Sequence, residues 1–193
     1  MADGVTIRPA ERREAAELAI LVDIASHGFA SWLWYGAVLS GKTETAFEHG
    51  RNRMLDGREP DSWRNALVAE VDGDLAGVSL AFTIEPNIET ETATHPVFEP
   101  LLALQRKVVG HWFIDSLGVY RHQRGKGIGT ALIEREIGRA GPAPVSLITE
   151  SHNDRAQALY RRNGFCEIAR TEAVPLSADS KKHDWVLFTR KVA

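Results

Sequence analysis

Six residues, Arg124-Gly-Lys-Gly-Ile-Gly129, constrain this chain more than any others. They lie between an apolar run that ends at Val119 and the helix-like stretch Thr130-Ala-Leu-Ile-Glu-Arg-Glu-Ile137. Glycines placed there make a strand-to-helix turn whose backbone can approach a ligand closely. The first N–H groups of the following helix have no partner inside it, so phosphate oxygens can accept from them. The segment therefore dictates a strand, a turn and a helix in sequence, and it builds an anion cradle at the turn.

Spacing decides which phosphate. The dinucleotide fingerprint G-x-G-x-x-G, begun at Gly125, needs glycine or alanine at 130, where Thr130 stands, and begun at Gly127 it meets Leu132. No strand-borne acidic residue follows about twenty positions on to hold a ribose, which argues against a nicotinamide enzyme. The P-loop pattern G-x-x-x-x-G-K-[ST] is spelled once, from Gly36 to Thr43. No strand precedes Gly36, however, and Ala37-Val38-Leu39 is a poor phosphate turn.

The remaining pattern, Arg124-x-x-Gly127-x-Gly129, resembles the acyl-coenzyme A pyrophosphate loop of the GNAT superfamily of N-acetyltransferases. Leu117-Gly118-Val119 looks like the end of that family's fourth strand. Asn153-Asp-Arg-Ala156-Gln-Ala-Leu159-Tyr160-Arg-Arg-Asn-Gly164-Phe165 is similar to its later N-x-x-A-x-x-L-Y-x-x-x-G-F helix. The resemblance is sharp over about residues 110–170. It implies an α/β fold of the mixed α+β kind: a twisted, mostly antiparallel sheet of about seven strands, a parallel pair of fourth and fifth strands that splays, and helices on both faces. It also implies an acyl-CoA-dependent N-acyltransferase that moves acetyl from acetyl-CoA to a primary amine by direct attack in a ternary complex.

In that resemblance the coenzyme pyrophosphate lies on Arg124, Gly125, Lys126, Gly127, Ile128, Gly129 and Thr130, and the pantetheine arm on the backbone of Leu117, Gly118 and Val119. Asn153 looks like a coenzyme contact and, by residue type, is equally a helix N-cap. Tyr160 looks like the general acid and a coenzyme neighbour, whereas spacing alone would make it a half-buried core tyrosine with a locally bonded hydroxyl.

An amine with a pKa near 10 is mostly protonated at neutral pH, so something must take its proton. Asp115 and Glu150 lie at or near the ends of the two strands expected to diverge, and His111 lies on the first. Asp115 is the first choice, because a charge within an apolar strand is costly unless paired or used. A partnered structural aspartate is its other reading. His152, beside the helix start, is a weaker option. Cys166 follows Phe165 with no nearby histidine and reads as a small buried hydrophobe rather than a nucleophile. No set of residues has metal-ligand spacing, so no metal is expected.

Composition sets the outer bounds. At 193 residues, 44% hydrophobic and 25% charged, the chain is expected to form one N-acetyltransferase domain over 1–193. A net charge of −3 gives no global attraction for nucleic acid, and the basic cluster from Arg121 to Lys126 is local. A lone cysteine, no signal-like start and no long apolar run point to a cytoplasmic protein without membrane contact. The expected partner is a small-molecule or peptide amine, with a homodimer left open. A non-catalytic acyl-CoA-binding sensor is the alternative, and acetylation of ribosomal or nucleic-acid-bound proteins is permitted but not suggested.

Periodicity and turn residues predict strands at 5–8, 66–71, 75–84, 110–119, 145–149, 165–173 and 185–192, with Asp72-Gly73-Asp74 as a hairpin turn. Helices are predicted at 11–26, 29–39, 43–55, 127–140 and 153–163, the last closed by Gly164. The aromatic stretch 29–39 could wall a substrate pocket or simply fill the core. The excursion 86–106, with a short helix at 98–105, could be a lid or a packed insertion.

Overall fold

The protein is described by a computed structural model covering residues 4–177 and 179–191. Its strands are Val5–Pro9 (β1), Ala66–Val71 (β2), Asp74–Thr83 (β3), Trp112–Val119 (β4), Val145–Glu150 (β5), Cys166–Glu172 (β6) and Asp184–Arg190 (β7). Its α-helices are Ala15–Ala25 (α1), Phe29–Leu39 (α2), Ala46–Leu55 (α3), Glu99–Gln105 (α4), Ile128–Ala140 (α5) and Asp154–Arg162 (α6). The strands form a mixed seven-stranded sheet in the order β1-β2-β3-β4-β5-β7-β6. The chain comprises two compact units, one of residues up to Phe82 with Asp115–Gly138, the other of Thr83–Ile114 with residues from Arg139 onward.

In the first unit, β2 and β3 are joined by Asp72 and Gly73, both at positive φ, which matches the right-handed twist of the hairpin strands. Side-chain alternation then sorts these strands onto two faces. Val68, Val78 and Leu80 pack with Leu18 and Leu21 of α1, Trp34 of α2 and Met54 of α3. Leu67, Ala69 and Ala76 pack with Ile128 and Leu132 of α5. Helices thus cover both faces because the period-two pattern leaves both apolar. The N-terminus of α1 is tied by Glu14, which accepts from the Glu11 N–H at 2.7 Å and pairs with Arg8. Arg8 also reaches Glu70 at 2.7 Å. Thr45 caps α3 by accepting from the Glu48 N–H at 3.1 Å.

In the second unit, β4 runs parallel to β5 from the Trp112–Val145 register to Ile114–Leu147. Strand β7 is antiparallel to both β5 and β6. Helix α4 lies against β6 and β7. The long excursion between β3 and β4 is packed structure: its 3-10 turns and α4 bury Ile88, Val97, Leu102, Leu104 and Val108. Arg106 ties it together by donating to the carbonyls of Ile88 at 3.2 Å and Glu91 at 2.6 Å.

Several expectations are corrected. Pro9 belongs to β1, opposite Leu67, at the last position of an edge strand where a missing N–H is tolerated. The first helix opens as a 3-10 turn, Arg12–Glu14, before α1. His111 precedes β4 rather than lying on it. Cys166 is exposed, because it starts an edge strand with β7 alone beside it, while Phe165 just before it takes the buried position. Strand β7 ends at Arg190, and the Val192 of the expected strand lies outside the described residues. Gly36 to Leu39 are helical, so the formal P-loop match has no phosphate turn.

Candidate active site

The first unit carries the end of β4 and the glycine loop. Here β3, β4 and α1 approach unusually closely, and two glycines permit it. A Cβ on Gly118 would stand 2.5 Å from the Leu21 carbonyl oxygen in α1, and one on Gly77 of β3 would stand 2.8 Å from the Gly118 carbonyl oxygen. The Tyr120 N–H donates to the Ala76 carbonyl at 3.0 Å, which fixes the strand exit against β3. The Tyr120 hydroxyl donates to the Glu17 carboxylate of α1. Burial first, and then this carboxylate, raise the phenol's pKa, so it stays a donor.

Beyond Tyr120 a 3-10 turn, Arg121–Gln123, leads to Gly125 and Gly127 at φ of +86° and +82°. Only glycine adopts that conformation without strain, so the sequence dictates the turn here. Arg124 folds back, its Nε donating to the Val119 carbonyl at 2.9 Å, and Lys126 donates to the Gln123 side chain at 2.7 Å. Ile128 is buried and anchors the start of α5 among Leu67, Ala69 and Leu132. The N–H groups of Ile128, Gly129 and Thr130 then occupy the first turn, where a helix supplies no acceptor. The helix dipole adds partial positive charge at the same point.

Asp115 lies on β4 in this unit. The residue is exposed to solvent, while protein atoms gather closely around its carboxyl. That crowding, helped by the Asp61 charge, pushes its carboxyl up to about 6, against a bond from Ser116 and the charge of Arg53. Arg53 itself is bonded to Asp61.

The second unit carries the turn from β5 into α6. Glu150 ends β5, its carboxylate 3.6 Å from Nε2 of the exposed His152. Asn153 caps α6, its Oδ1 accepting from the Ala156 N–H at 3.2 Å. Gln157 is buried and locks the turn, donating to the Ser151 carbonyl at 2.8 Å and the Glu150 carbonyl at 3.3 Å. Tyr160 is buried rather than half-buried, its ring 6.0 Å from that of Phe188 and 6.2 Å from that of Phe165. Burial alone pushes its phenol up to about 12. Gly164, at φ +83°, closes the helix as its position suggests.

Leu117 to Val119, Arg124 to Thr130 and Asp115 therefore fall in one unit, and Glu150, Asn153 and Tyr160 in the other. His111 is engaged structurally: its Nδ1 is 2.7 Å from Ser146 Oγ, which is 2.8 Å from Thr189 Oγ1, and burial lowers its pKa. Sequence reasoning missed Gly77, the Tyr120–Glu17 bond and Gln157. An isolated glycine inside a strand pattern is a signal for the first, whereas the others depend on partners distant in sequence. Among the described residues no group of three His, Cys, Asp or Glu is placed to hold a metal, and no helix is long and apolar enough to cross a membrane.

The model of the acetyltransferase (GNAT) family matches residues 34–165. Solved structures share the fold. An N-acetyltransferase from Staphylococcus aureus Mu50 is 19% identical with a TM-score of 0.66, covering 95% of this chain and 99% of its own. A ribosomal-protein-alanine N-acetyltransferase from Brucella melitensis is 22% identical with a TM-score of 0.60, covering 97% and 99%. The protein yncA of Salmonella typhimurium, described as an acetyltransferase and solved with its cofactor acetyl-CoA, is 19% identical with a TM-score of 0.56, covering 99% and 95%. No curated protein matches the chain significantly.

Proposed function

Because the chain belongs to the acetyltransferase (GNAT) family, we propose that it transfers acetyl from acetyl-CoA directly to a primary amine of a small molecule or peptide, residues 1–193 acting as one catalytic domain. The observation that carries this reading is the turn at Gly125 and Gly127, left-handed at both positions and running into the first turn of α5. The backbone N–H groups of residues 124–130 would receive the coenzyme pyrophosphate, with Arg124 and Lys126 adding charge and Thr130 a hydroxyl. The backbone of Leu117, Gly118 and Val119 would take the pantetheine arm and orient the thioester carbonyl.

The amine lone pair attacks the thioester carbon, a C–N bond forms, and the C–S bond breaks to release coenzyme A thiolate. The amine's proton passes to Asp115, directly or through water, and Tyr160 gives its hydroxyl proton to the thiolate. A carboxyl titrating near 6 is ionised at neutral pH yet more basic than an ordinary aspartate, which suits a general base. A phenol held up to about 12 is protonated at neutral pH and so carries the proton that the departing thiolate takes, although the same shift makes it a weaker acid than an ordinary tyrosine. Glu150, at the end of β5, is the second carboxylate assigned to this chemistry, and Asn153 contacts the coenzyme as well as capping α6.

Thermal unfolding with acetyl-CoA tests the donor. At a hundred times its Kd, a ligand bound only by the native state stabilises by about 2.7 kcal/mol. For a chain of 193 residues that raises Tm by about 5–10 °C. An unmoved Tm at millimolar acetyl-CoA would refute the reading. Release of free thiol across a panel of amines separates an enzyme from a coenzyme sensor, since a sensor shows the Tm shift without turnover.

A further inference from the structure

Helix α2 presents an exposed apolar face, in which Trp32 stacks on Phe29 at 6.2 Å and Phe47 of α3 lies edge-on to Trp34 at 6.4 Å. From Phe29 to Leu39 it contains no charged residue. Trp34 and Ala37 face inward, while Trp32, Tyr35, Gly36 and Leu39 form a stripe along the outer side at helical spacing. Trp32 is 38% exposed, Tyr35 53% and Leu39 77%, and Phe47 on the neighbouring α3 is 46% exposed.

Gly36 is the telling residue. It sits mid-helix, where glycine is disfavoured relative to alanine, and its conformation is ordinary. A Cβ built on it meets nothing within 4 Å, so no packing inside the chain calls for glycine. A glycine flanked by exposed Trp32, Tyr35 and Leu39 lets a second helix backbone approach closely.

We propose that this face of α2 is a homodimer interface, in which the α2 helices of two copies pack antiparallel about a two-fold axis and cross at Gly36. Area favours a second copy of this chain. With aromatic side chains offering roughly 200 Å² each, the exposed parts of these four residues amount to about 400 Å² of apolar surface. A standard interface buries about 800 Å² per partner, of which somewhat over half, about 450 Å², is apolar. The stripe is also rich in Trp and Tyr and free of charge, as interface centres are. A two-fold contact brings the same α2 stripe, which carries no charged residue, to both sides.

Sedimentation velocity over about 1–200 µM tests this, since the dimer must appear with rising concentration. The expected species has twice the 21.3 kDa chain mass. Leu39→Glu and Tyr35→Glu should each raise the dimer dissociation constant about a hundredfold or more, because each carries a charge into an apolar contact where it has no partner. Gly36→Gln should do the same while leaving the monomer at least as heat-stable, since its side chain enters open space within the chain and improves helix propensity. A wild-type monomer throughout the range, or dimers that survive all three substitutions, overturns the proposal. So does a wild-type monomer that binds phosphatidylcholine–phosphatidylglycerol vesicles through Tyr35 and Leu39, which would assign the face to lipid. Neither result bears on acetyl-CoA binding, which the Tm shift reads separately.

Discussion

Two glycine-to-alanine substitutions should move stability in opposite directions. Gly118 lies on β4 where a Cβ would be 2.5 Å from the Leu21 carbonyl oxygen, 3.2 Å from the Ala25 Cβ and 3.4 Å from the Ala25 N. Ordinary contact begins at 3.4 Å, so α1 and β4 would have to separate by about 0.9 Å at the carbonyl. That atom is helix backbone and cannot swing aside as a side-chain tip can. Inserting a methyl into such a site costs roughly 1–3 kcal/mol, and the rigid neighbour puts Gly118→Ala at about 3. For a chain of this length each kcal/mol is about 2–4 °C, so Tm should fall by about 6–12 °C. Gly138, in α5, meets nothing within 4 Å of an added Cβ. Gly138→Ala should therefore gain about 1 kcal/mol of helix propensity and raise Tm by about 2–4 °C. Calorimetric melts of both variants without ligand give the answer. The reasoning fails if Gly118→Ala melts within about 2 °C of wild type, or if Gly138→Ala melts lower than Gly118→Ala.

Three further outcomes follow from the structure. If Asp115 is the base, kcat/KM should fall about tenfold per pH unit below about 6, because the carboxylate must be ionised to accept a proton. Asp115→Asn should lower the rate by about 10²–10⁴ and abolish that limb; a limb surviving near 6 would assign it elsewhere. Tyr160→Phe should lower kcat by about 10² with acetyl-CoA affinity nearly unchanged, measured by calorimetric titration beside turnover. Equal turnover would remove the phenol from the chemistry. Ser79→Ala takes away the hydroxyl that donates to the buried Glu136 carboxyl at 2.6 Å, and should cost about 1–3 kcal/mol in a denaturant melt.

Much of the architecture was legible because it rests on local rules. Asp72-Gly73 specified its own hairpin turn, the 29–39 helix begins and ends where its pattern does, and Gly164 closes α6. The parallel strand-helix-strand unit around residues 112–149 followed from the glycine turn between an apolar run and an amphipathic one. Cys166 was misread because burial of a small residue depends on whether its strand is an edge, and strand order is decided by pairings far apart in sequence. His111 read as a histidine on the fourth strand; it instead precedes that strand and lies against Ser146, thirty-five positions away.

The sequence by itself determined the glycine turn before α5, since glycine at 125 and 127 is what two left-handed backbone positions require. It also determined the alternation that clothes β2 and β3 on both faces. Only the tertiary structure decided that Gly77 and Gly118 let α1, β4 and β3 approach one another. It alone decided that crowding raises the Asp115 carboxyl to about 6, and that Gly36 has open space around it. The reason is physical: a dihedral preference belongs to one residue, whereas a distance, a desolvated charge or an open surface belongs to neighbours that the folded chain brings together.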